Sequence, residues 1–411
     1  MTHLRAPWLA LVLALAPTIV RAQDAMPDEI SLADLLDRAQ RSPRVRVEAA
    51  LAEAYRGDVR EAGQHPNPVL SYEVAGFLGG IETNGGSQQE LRVSQPLLWP
   101  GQVDRRIDAA RARLDLARAR TDALRAALSI ELRRAYVALL GAQERAAVLV
   151  EAETSMERLA SIVRGRAEAG AGRRWDVTRI EGELASVRAA RDVAAAELLA
   201  ASARIGALLG APGWLPRARG VLADLPPVRP RDELLEDHPM LVVARGAHRA
   251  AVMRAEAERA LAIPPIELTL GTIVSTAPEG GYLIGGVAMP LPFFDANQGA
   301  IERAEREADA AELARDATRL ELEAALAGAR RVVSLRRDAL AAYEREVVER
   351  LPLLAEMAEA AYQGGEVGVF EVLDAVRATR ELRTERVDRE ESLRLSEIDL
   401  LEAALGAALA D

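Results

Sequence analysis

Cysteine is absent from this 411-residue sequence. Its absence excludes disulfides, thiolate metal sites, a cysteine nucleophile and a lipid anchor on an N-terminal cysteine. Histidine is scarce as well, with four residues in the whole chain, and no two of them have the spacing of zinc or copper ligands. We therefore expect neither a metal site built from this protein's side chains nor a bound cofactor.

Lysine is also missing, so all 52 basic residues are arginine, and the net charge is −11 at pH 7. This acidic balance argues against a nucleic-acid partner. Aromatic residues make up 3% of the chain although hydrophobic residues make up 50%, so the apolar fraction is mostly alanine, leucine and valine. Together with 28% charged residues, this composition favours long helices and coiled coils over a bulky globular core.

A catalytic motif is likewise absent. The glycine clusters do not follow the strand–loop–helix pattern of a phosphate-binding loop, and no Ser/His/Asp spacing stands out. The sequence therefore predicts a protein that is not an enzyme.

The longest apolar run lies at the N-terminus. Arg5 precedes an apolar segment from Pro7 to Val20, and Val20 and Ala22 suit the cleavage site of an export signal. The pattern predicts a signal peptide over residues 1–22 and a mature chain that leaves the cytoplasm. No later stretch approaches the roughly 20 consecutive apolar residues of a transmembrane helix.

The rest of the sequence contains the same pattern twice, about 195 residues apart. Each half runs through a helix, two short alternating strands, a very long helix, a Gly-rich break and another long helix. This period is too long for a solenoid unit, so we expect two structural repeats, 23–225 and 226–411. The matched positions are Pro43 and Pro239, Pro96 and Pro290, Gly170 and Gly365, and Trp175-Asp176-Val177 and Phe370-Glu371-Val372.

Each repeat is predicted to contain one β-hairpin, over residues 69–96 and 266–290. Apolar and polar side chains alternate along these strands. The apolar positions are Leu70, Tyr72, Leu91, Val93, Ile266, Leu268 and Leu270. The charged positions on the other side are Glu73, Glu90, Arg92 and Glu267. The length and alternation of these strands are typical of a membrane β-barrel. The same pattern fits half-buried strands of a soluble sheet almost as well.

Long helices account for most of the remaining sequence, so the predicted fold is mainly α with a small β part. A first helix is predicted over 31–62. The long helices are predicted over 102–164, 176–210, 298–363 and 369–409. In the first of these, a heptad seam that includes Leu128, Leu132 and Leu139 indicates a coiled coil. In the third, Pro352 is expected to bend the helix. Sixty-odd helical residues span roughly 90–95 Å.

Four strands are too few to close a transmembrane barrel, because the smallest such barrels have about eight. An open sheet edge is also not tolerated in lipid. If the strands span a membrane, several copies of the chain must pool them. The number of strands alone does not determine whether two or more copies assemble.

At this point the sequence resembles the TolC family of outer-membrane efflux ducts, over almost everything after the signal peptide. The segments that carry the resemblance are Asn67–Val74, Ser94–Gln102, the Gly-rich breaks at 165–176 and 362–374, and Leu405-Gly406. The strand-to-helix passage after Gln95-Pro96 is most similar to the branch serving heavy-metal exporters, the CzcC-like and CusC-like proteins.

The resemblance implies a homotrimer with a twelve-stranded outer-membrane β-barrel and an α-helical tunnel across the periplasm. It also implies two protein partners, a periplasmic adaptor and an inner-membrane pump of the resistance-nodulation-division (RND) type. Many relatives in this branch carry a lipid on an N-terminal cysteine. We expect no lipid anchor here, because the chain has no cysteine.

The resemblance also implies roles for particular residues. The periplasmic tip that contacts the adaptor corresponds to Gly170, Gly172, Trp175, Gly364, Gly365, Gly368 and Phe370. The pore aperture corresponds to Glu371, Asp374, Asp176, Arg173 and Arg174. The barrel lumen corresponds to Glu73, Glu90, Arg92 and Glu267. Purely structural roles are the alternatives. The tip glycines would then only turn the chain between two helices, and Glu371 and Asp374 would only complement the helix dipole in the first turn.

One departure from the family concerns closure of the aperture. Val367 and Val369 stand where TolC itself has basic residues that help latch the closed tip, and Arg173 and Arg174 are the candidate substitutes.

The leading functional hypothesis is a passive export duct of the outer membrane, with heavy-metal cations as candidate cargo. The alternative is a periplasmic structural or adaptor coiled-coil protein whose hairpins form a soluble sheet.

Overall fold

The structure is a computed structural model that describes residues 26–76, 86–227, 235–276 and 279–404. The predicted signal peptide, the tips of both hairpins and the last residues of the final predicted helix lie outside these ranges. The described part is mainly helical with a small β portion, which confirms the predicted fold class.

The described residues of the first half form four α-helices and four strands. They are β1 Glu29–Ile30, α1 Leu32–Ala39, α2 Pro43–Ala62, β2 Val69–Gly76, β3 Ser87–Leu97, α3 Gln102–Glu168, α4 Arg174–Leu209 and β4 Arg217–Ala218. The second half repeats the order of the main elements of the first half. They are α5 Pro239–Ala260, β5 Ile266–Thr276, β6 Glu279–Ala288, α6 Gln298–Glu346, α7 Leu351–Gly364 and α8 Val369–Ala404.

The first helical segment differs from its prediction. The single helix predicted over 31–62 is wrong, because α1 ends at Ala39 and α2 begins at Pro43. Proline has no backbone N–H and is tolerated at the first position of a helix but not inside one. The side chain of Ser42 caps the new helix by accepting a hydrogen bond from the Val45 N–H.

The third predicted long helix is also interrupted. The helix predicted over 298–363 is divided at Val347, and a short 3-10 turn at Val348–Arg350 precedes α7. Pro352 lies at the start of α7, where its missing N–H costs no intrahelical bond. The expected bend is therefore a full break in the α-helix.

A four-stranded antiparallel sheet joins the two halves, with the order β2-β3-β5-β6. Each half contributes one hairpin, and the inner strands β3 and β5 pair with each other along their length. Strands β2 and β6 are left at the two edges. Among the described residues, this sheet therefore has two unpaired edges, one from each repeat.

The central part of α3 lies in the main hydrophobic core. The predicted seam residues Leu128, Leu132 and Leu139 are all buried there. Strands β1 and β4, which were not predicted, form a small parallel pair beside this part of α3. Gln143 on α3 holds the pair by donating to the Ala218 carbonyl and accepting from the Ala218 N–H.

α3 has 67 residues, which corresponds to a rod of about 100 Å at the usual helical rise. In the part of the chain that the structure describes, the helices lack an apolar stretch long enough to cross a membrane.

Candidate functional site

The first candidate region is the four-stranded sheet, whose two faces have opposite chemistry. Directly opposed residues in an antiparallel pair lie on the same face. The register pairs Glu73 with Glu90 and places Arg92 opposite Gly271 on that same face. Glu267 joins them through its partner Pro96. The four charged residues selected from the sequence therefore share one face, where Arg92 also forms an ion pair with Glu90.

The opposite face of the sheet is apolar and exposed. Leu70 pairs with Val93, and Val93 pairs with Leu270, so one apolar row crosses three strands. Leu70 and Leu270 are each 67% exposed. The same face carries Tyr72, Val74, Leu91, Leu268, Val274, Leu283 and Val287, which are all exposed. A contiguous exposed apolar patch of this kind marks a surface that is covered by protein or lipid.

The second candidate region is the tip, where α3 turns into α4 and α7 turns into α8. Both turns end the preceding helix in the same way. Gly170 and Gly365 adopt positive φ values of 75° and 77°, a conformation that favours glycine. The N–H groups of Ala171 and Glu366 donate to the carbonyls of Arg166 and Ala361. These bonds form equivalent Schellman turns at matched positions of the two repeats.

The remaining tip glycines differ in their surroundings. A Cβ at Gly172 would lie 3.0 Å from the backbone nitrogen of Ala167, so this turn is tightly packed. At Gly364 the nearest atom to an added Cβ is 3.8 Å away, and at Gly368 it is the Glu371 carboxylate at 3.0 Å. The positive φ values therefore favour glycine at Gly170 and Gly365, and the close backbone leaves little space for a side chain at Gly172. At Gly364 and Gly368 a side chain would meet open space or the flexible side chain of a glutamate.

Val367 and Val369 belong to the hydrophobic core of the tip. Val369 is buried and Val367 is partly buried against a cluster that includes Val163, Ile180 and Leu373. This cluster packs the α3/α4 hairpin against the α7/α8 hairpin. Valine at these positions therefore contributes packing between the hairpins, in place of the basic side chains that the family resemblance suggests.

The acidic pair selected from the sequence is exposed at the start of α8. Glu371 and Asp374 lie three residues apart on one helical face, and both are exposed. Within the described residues neither makes an ion pair. Asp176, which matches Glu371 in the other repeat, is half-buried in the first turn of α4.

The other tip residues selected from the sequence surround the start of α4. Arg173, Arg174 and Trp175 are exposed, and Arg173 is the N-cap residue of α4. Phe370 is exposed as well, and the Arg179 guanidinium lies 4.7 Å from its ring centroid.

Two contacts that the sequence did not reveal connect the helical hairpins. Arg166 on α3 donates to the Tyr362 carbonyl over 2.6 Å, and its guanidinium lies 4.9 Å from the Tyr362 ring centroid. Burial raises the pKa of the Tyr362 hydroxyl, an effect that nearby Arg166 partly opposes. Arg377 on α8 makes a two-point ion pair with Glu183 on α4, with one N–O distance of 2.7 Å.

Arg166 and Arg377 thus connect the two helical hairpins, and the roles of Arg173 and Arg174 at the aperture stay predictions. Arg166 and Tyr362 stood within the Gly-rich breaks, but their pairing depends on how the hairpins pack. Among the described residues, no group of three or more His, Asp or Glu side chains is placed to hold a metal ion.

A sheet with an exposed apolar face, attached to long antiparallel helices and built from two repeats, fits a protein that contacts a membrane through its strands. The chain belongs to the outer membrane efflux protein family, whose sequence model matches residues 36–211 and 231–407. Two separate matches confirm the duplication that the sequence indicated, and the family resemblance is confirmed with it.

Relatives of known name support this assignment. The chain is 28% identical over 336 residues to the cobalt-zinc-cadmium resistance protein CzcC of Cupriavidus metallidurans, covering 80% of this chain and 78% of the relative. It is 26% identical over 325 residues to the nickel-cobalt-cadmium resistance protein NccC of Alcaligenes xylosoxydans xylosoxydans, covering 78% and 73%. The fold is similar to that of a CusC crystal structure, with a TM-score of 0.76, 22% identity and 92% coverage of both chains.

Proposed function

We propose that this efflux protein is the exit duct of a tripartite exporter of the RND type. Three copies pool their sheets into a twelve-stranded barrel in the outer membrane, and their long helices form a tunnel through the periplasm. A periplasmic adaptor connects the tip of the tunnel to an inner-membrane pump. The duct itself conducts passively and catalyses no reaction.

The observation that carries this proposal is the sheet with its exposed apolar face and two unpaired edges. Burial in lipid removes the apolar face from water, and pairing between copies satisfies the edge N–H and C=O groups. The alternative, a periplasmic coiled-coil protein with a soluble sheet, leaves both the apolar face and the edges in water.

Density-gradient fractionation of cells that express the full chain tests the proposal. We expect the protein in the outer-membrane fraction, running as a trimer in mild detergent. A freely soluble periplasmic monomer would reject the duct and favour the coiled-coil alternative.

Heavy-metal cations are the proposed cargo. The names of the two relatives connect them to resistance against cobalt and cadmium, with zinc or nickel in addition. The exposed pair Glu371 and Asp374 supports this choice, because a trimer brings six such carboxylates to one constriction. Rings of carboxylates favour cations in a pore.

Neutralising this pair gives a direct prediction. The double variant Glu371→Gln/Asp374→Asn is expected to lose cation selectivity several-fold and to weaken block by divalent cations, because the pore constriction loses its negative charge. Reversal potentials in asymmetric salt measure the selectivity. Glu197→Gln, which changes an exposed carboxylate of α4 away from the tip, is the control. An unchanged reversal potential in the double variant would remove these residues from the pore.

The tip is also the proposed gate. The contacts between Arg166 and Tyr362 and between Arg377 and Glu183 hold the two helical hairpins of one chain together. We propose that these contacts maintain the closed aperture, and that the adaptor releases them when it docks on the tip.

Docking at the tip leads to a second prediction. Gly368→Leu is expected to abolish most export while trimers still form, because a bulky side chain blocks the adaptor surface. Gly368 suits this test better than Gly365, since its φ is not positive and its neighbour is a flexible carboxylate. Metal resistance of cells carrying the complete exporter measures export. Full resistance in this variant would reject a docking role for this part of the tip.

A further inference from the structure

We propose that a notch at Gly141 on α3 holds the Glu391 side chain of α8, and that this contact sets the rotation and axial position of α8 at the tip. Gly141, Arg145 and Glu391, which we call the α8 seat, are thus positioning residues of the gate. The inference rests on the proposed function only where it connects the position of α8 to the open state of the channel. The seat itself consists of contacts within one chain.

Gly141 makes room for a side chain of another helix. It lies in the middle of the 67-residue helix α3 and is buried. Glycine at such a position destabilises a helix relative to alanine. A Cβ at Gly141 would lie 2.8 Å from the carboxyl carbon of Glu391, which is closer than two side chains approach each other. The missing side chain therefore leaves the space that the Glu391 carboxylate occupies.

Arg145, about one turn further along α3, binds the carboxylate in this notch. Its guanidinium forms one ion pair with Glu391 and another with Asp388 over 3.0 Å. The side chains of Arg145 and Glu391 are 23% and 15% exposed. Separating a largely buried pair is costly, because the two charges do not recover full hydration. The pair therefore favours one position of α8 on α3.

Ion pairs on either side of the seat follow the same alignment of α3 and α8. Arg134 pairs with Asp399 over 2.7 Å, and Glu151 pairs with Arg383 over 2.6 Å. These pairs and the seat between them run in antiparallel order along the two helices. Their side chains are more exposed than those of the seat, and exposed ion pairs contribute little. The seat therefore discriminates most strongly against a shifted alignment.

A second group of buried charges holds the same part of α8 on another side. Glu397 is 2% exposed and accepts from Arg337 of α6 over 2.8 Å and from Arg394 over 3.0 Å. Arg394 also donates to the Ala223 carbonyl, in the connection that follows β4. Buried polar groups between helices can specify the register of those helices. Residues 388–397 of α8 are thus held by α3, by α6 and by this connection.

The tip half of the second hairpin is joined to this held part mainly through α8. α6 ends at Glu346, and the 3-10 turn Val348–Arg350 separates it from α7. By contrast, α8 is one helix from Val369 to Ala404. A continuous helix transmits rotation and translation along its length. The seat therefore determines where the tip end of α8 lies.

Arg377 is the residue through which the seat acts at the tip. It lies two heptads from Glu391, hence on the same face of α8 and about 21 Å away along the helix. Arg377 pairs with Glu183 of α4. A slip of α8 by one residue moves Arg377 by about 1.5 Å along the axis and about 100° around it. Such a slip separates Arg377 from Glu183, so loss of the seat is expected to release this contact.

Gly141→Ala tests the seat without a loss of helix propensity, because alanine is the better helix former. The added Cβ displaces the Glu391 carboxylate and separates it from Arg145. Gly328→Ala is the matched control in another long helix, α6, because no atom lies within 4 Å of an added Cβ there.

Pulsed electron spin resonance measures the position of α8 in the full chain. Spin labels are attached through Ala185→Cys on α4 and Glu381→Cys on α8, two exposed positions. The chain has no native cysteine that competes for the label. Co-expression with an excess of unlabelled chain restricts the measured distances to those within one chain. Single-channel recording gives the open fraction of the same variants without labels.

We expect Gly141→Ala to change the distance between the labels by about 1.5 Å or more. Its open fraction is expected to rise several-fold while the heat stability of the trimer is unchanged. Gly328→Ala is expected to match the native protein in all three measurements. A contact that only stabilises the fold would change heat stability and leave the distance as it is.

The two measurements separate the inference from the proposed function. If Gly141→Ala has the native distance and the native open fraction, the inference is wrong, and the recorded currents still support the duct. If no variant conducts, the duct is rejected, and a changed distance in Gly141→Ala still supports the seat.

A second variant covers the case in which Gly141→Ala does not fold. Glu391→Ala removes the carboxylate that binds Arg145 and leaves α3 unaltered, so we expect it to change the distance between the labels as well. The double variant Gly141→Ala/Glu391→Ala is expected to behave as Glu391→Ala does, because the notch acts through this side chain. A native distance in Glu391→Ala, or additive effects of the two changes, would overturn the proposal.

Discussion

Arg377→Glu is expected to increase the open fraction of the channel by roughly 10-fold to 100-fold. The variant places a carboxylate against Glu183, where the native guanidinium makes a two-point ion pair. Hydrogen bonds to charged groups contribute roughly 1.5–3 kcal/mol, and about 1.4 kcal/mol corresponds to a tenfold change in an equilibrium. Single-channel recording in planar bilayers measures the open fraction.

The charge swap is the control for this prediction. Glu183→Arg combined with Arg377→Glu restores an ion pair of opposite polarity at the same place, so the open fraction is expected to return toward that of the native protein. A single variant that gates like the native protein, or a swap that remains as open as the single variant, would reject a latch between α4 and α8.

Leu270→Arg is expected to remove nearly all of the protein from the outer membrane. Leu270 lies in the apolar row that crosses the sheet and is 67% exposed. An arginine facing lipid costs roughly 2–4 kcal/mol at the bilayer midplane, and a trimer carries this cost three times. Outer-membrane fractionation and heat-stable trimer on gels measure the loss.

Thr269→Arg is the matched control, because Thr269 is the adjacent residue on β5 and lies on the polar face with Ser94. We expect this variant to assemble normally and to alter conductance alone. Normal insertion of Leu270→Arg, or equal failure of both variants, would show that the exposed apolar face does not contact lipid.

Much of this architecture could be predicted because its signals are local. The duplication is visible in matched prolines and glycines, and the hairpins in strict alternation such as that from Leu70 to Val74. The heptad seam around Leu132 correctly indicated which face of α3 is buried, since neighbouring turns of one helix determine that face. Pro43 is also a local signal for the break between α1 and α2. The prediction missed this break because the helical pattern of apolar residues continues on both sides of Pro43.

The contacts between helical hairpins could not be predicted in the same way. Arg377 and Glu183 lie in different repeats, and arginine and glutamate are abundant throughout the chain. Which of them meet depends on the rotation and offset of α4 against α8, and sequence spacing does not encode these quantities. The pairing of β1 with β4 is similar, because each strand has two residues and no periodic pattern.

Conductance of the purified protein in planar lipid bilayers tests directly whether this chain forms a duct. We expect stepwise, cation-preferring currents from a trimeric preparation, small in the native protein and larger in Arg377→Glu. Absence of current steps from both proteins, in preparations shown to be folded and trimeric, would contradict the assignment of this chain as an outer-membrane duct.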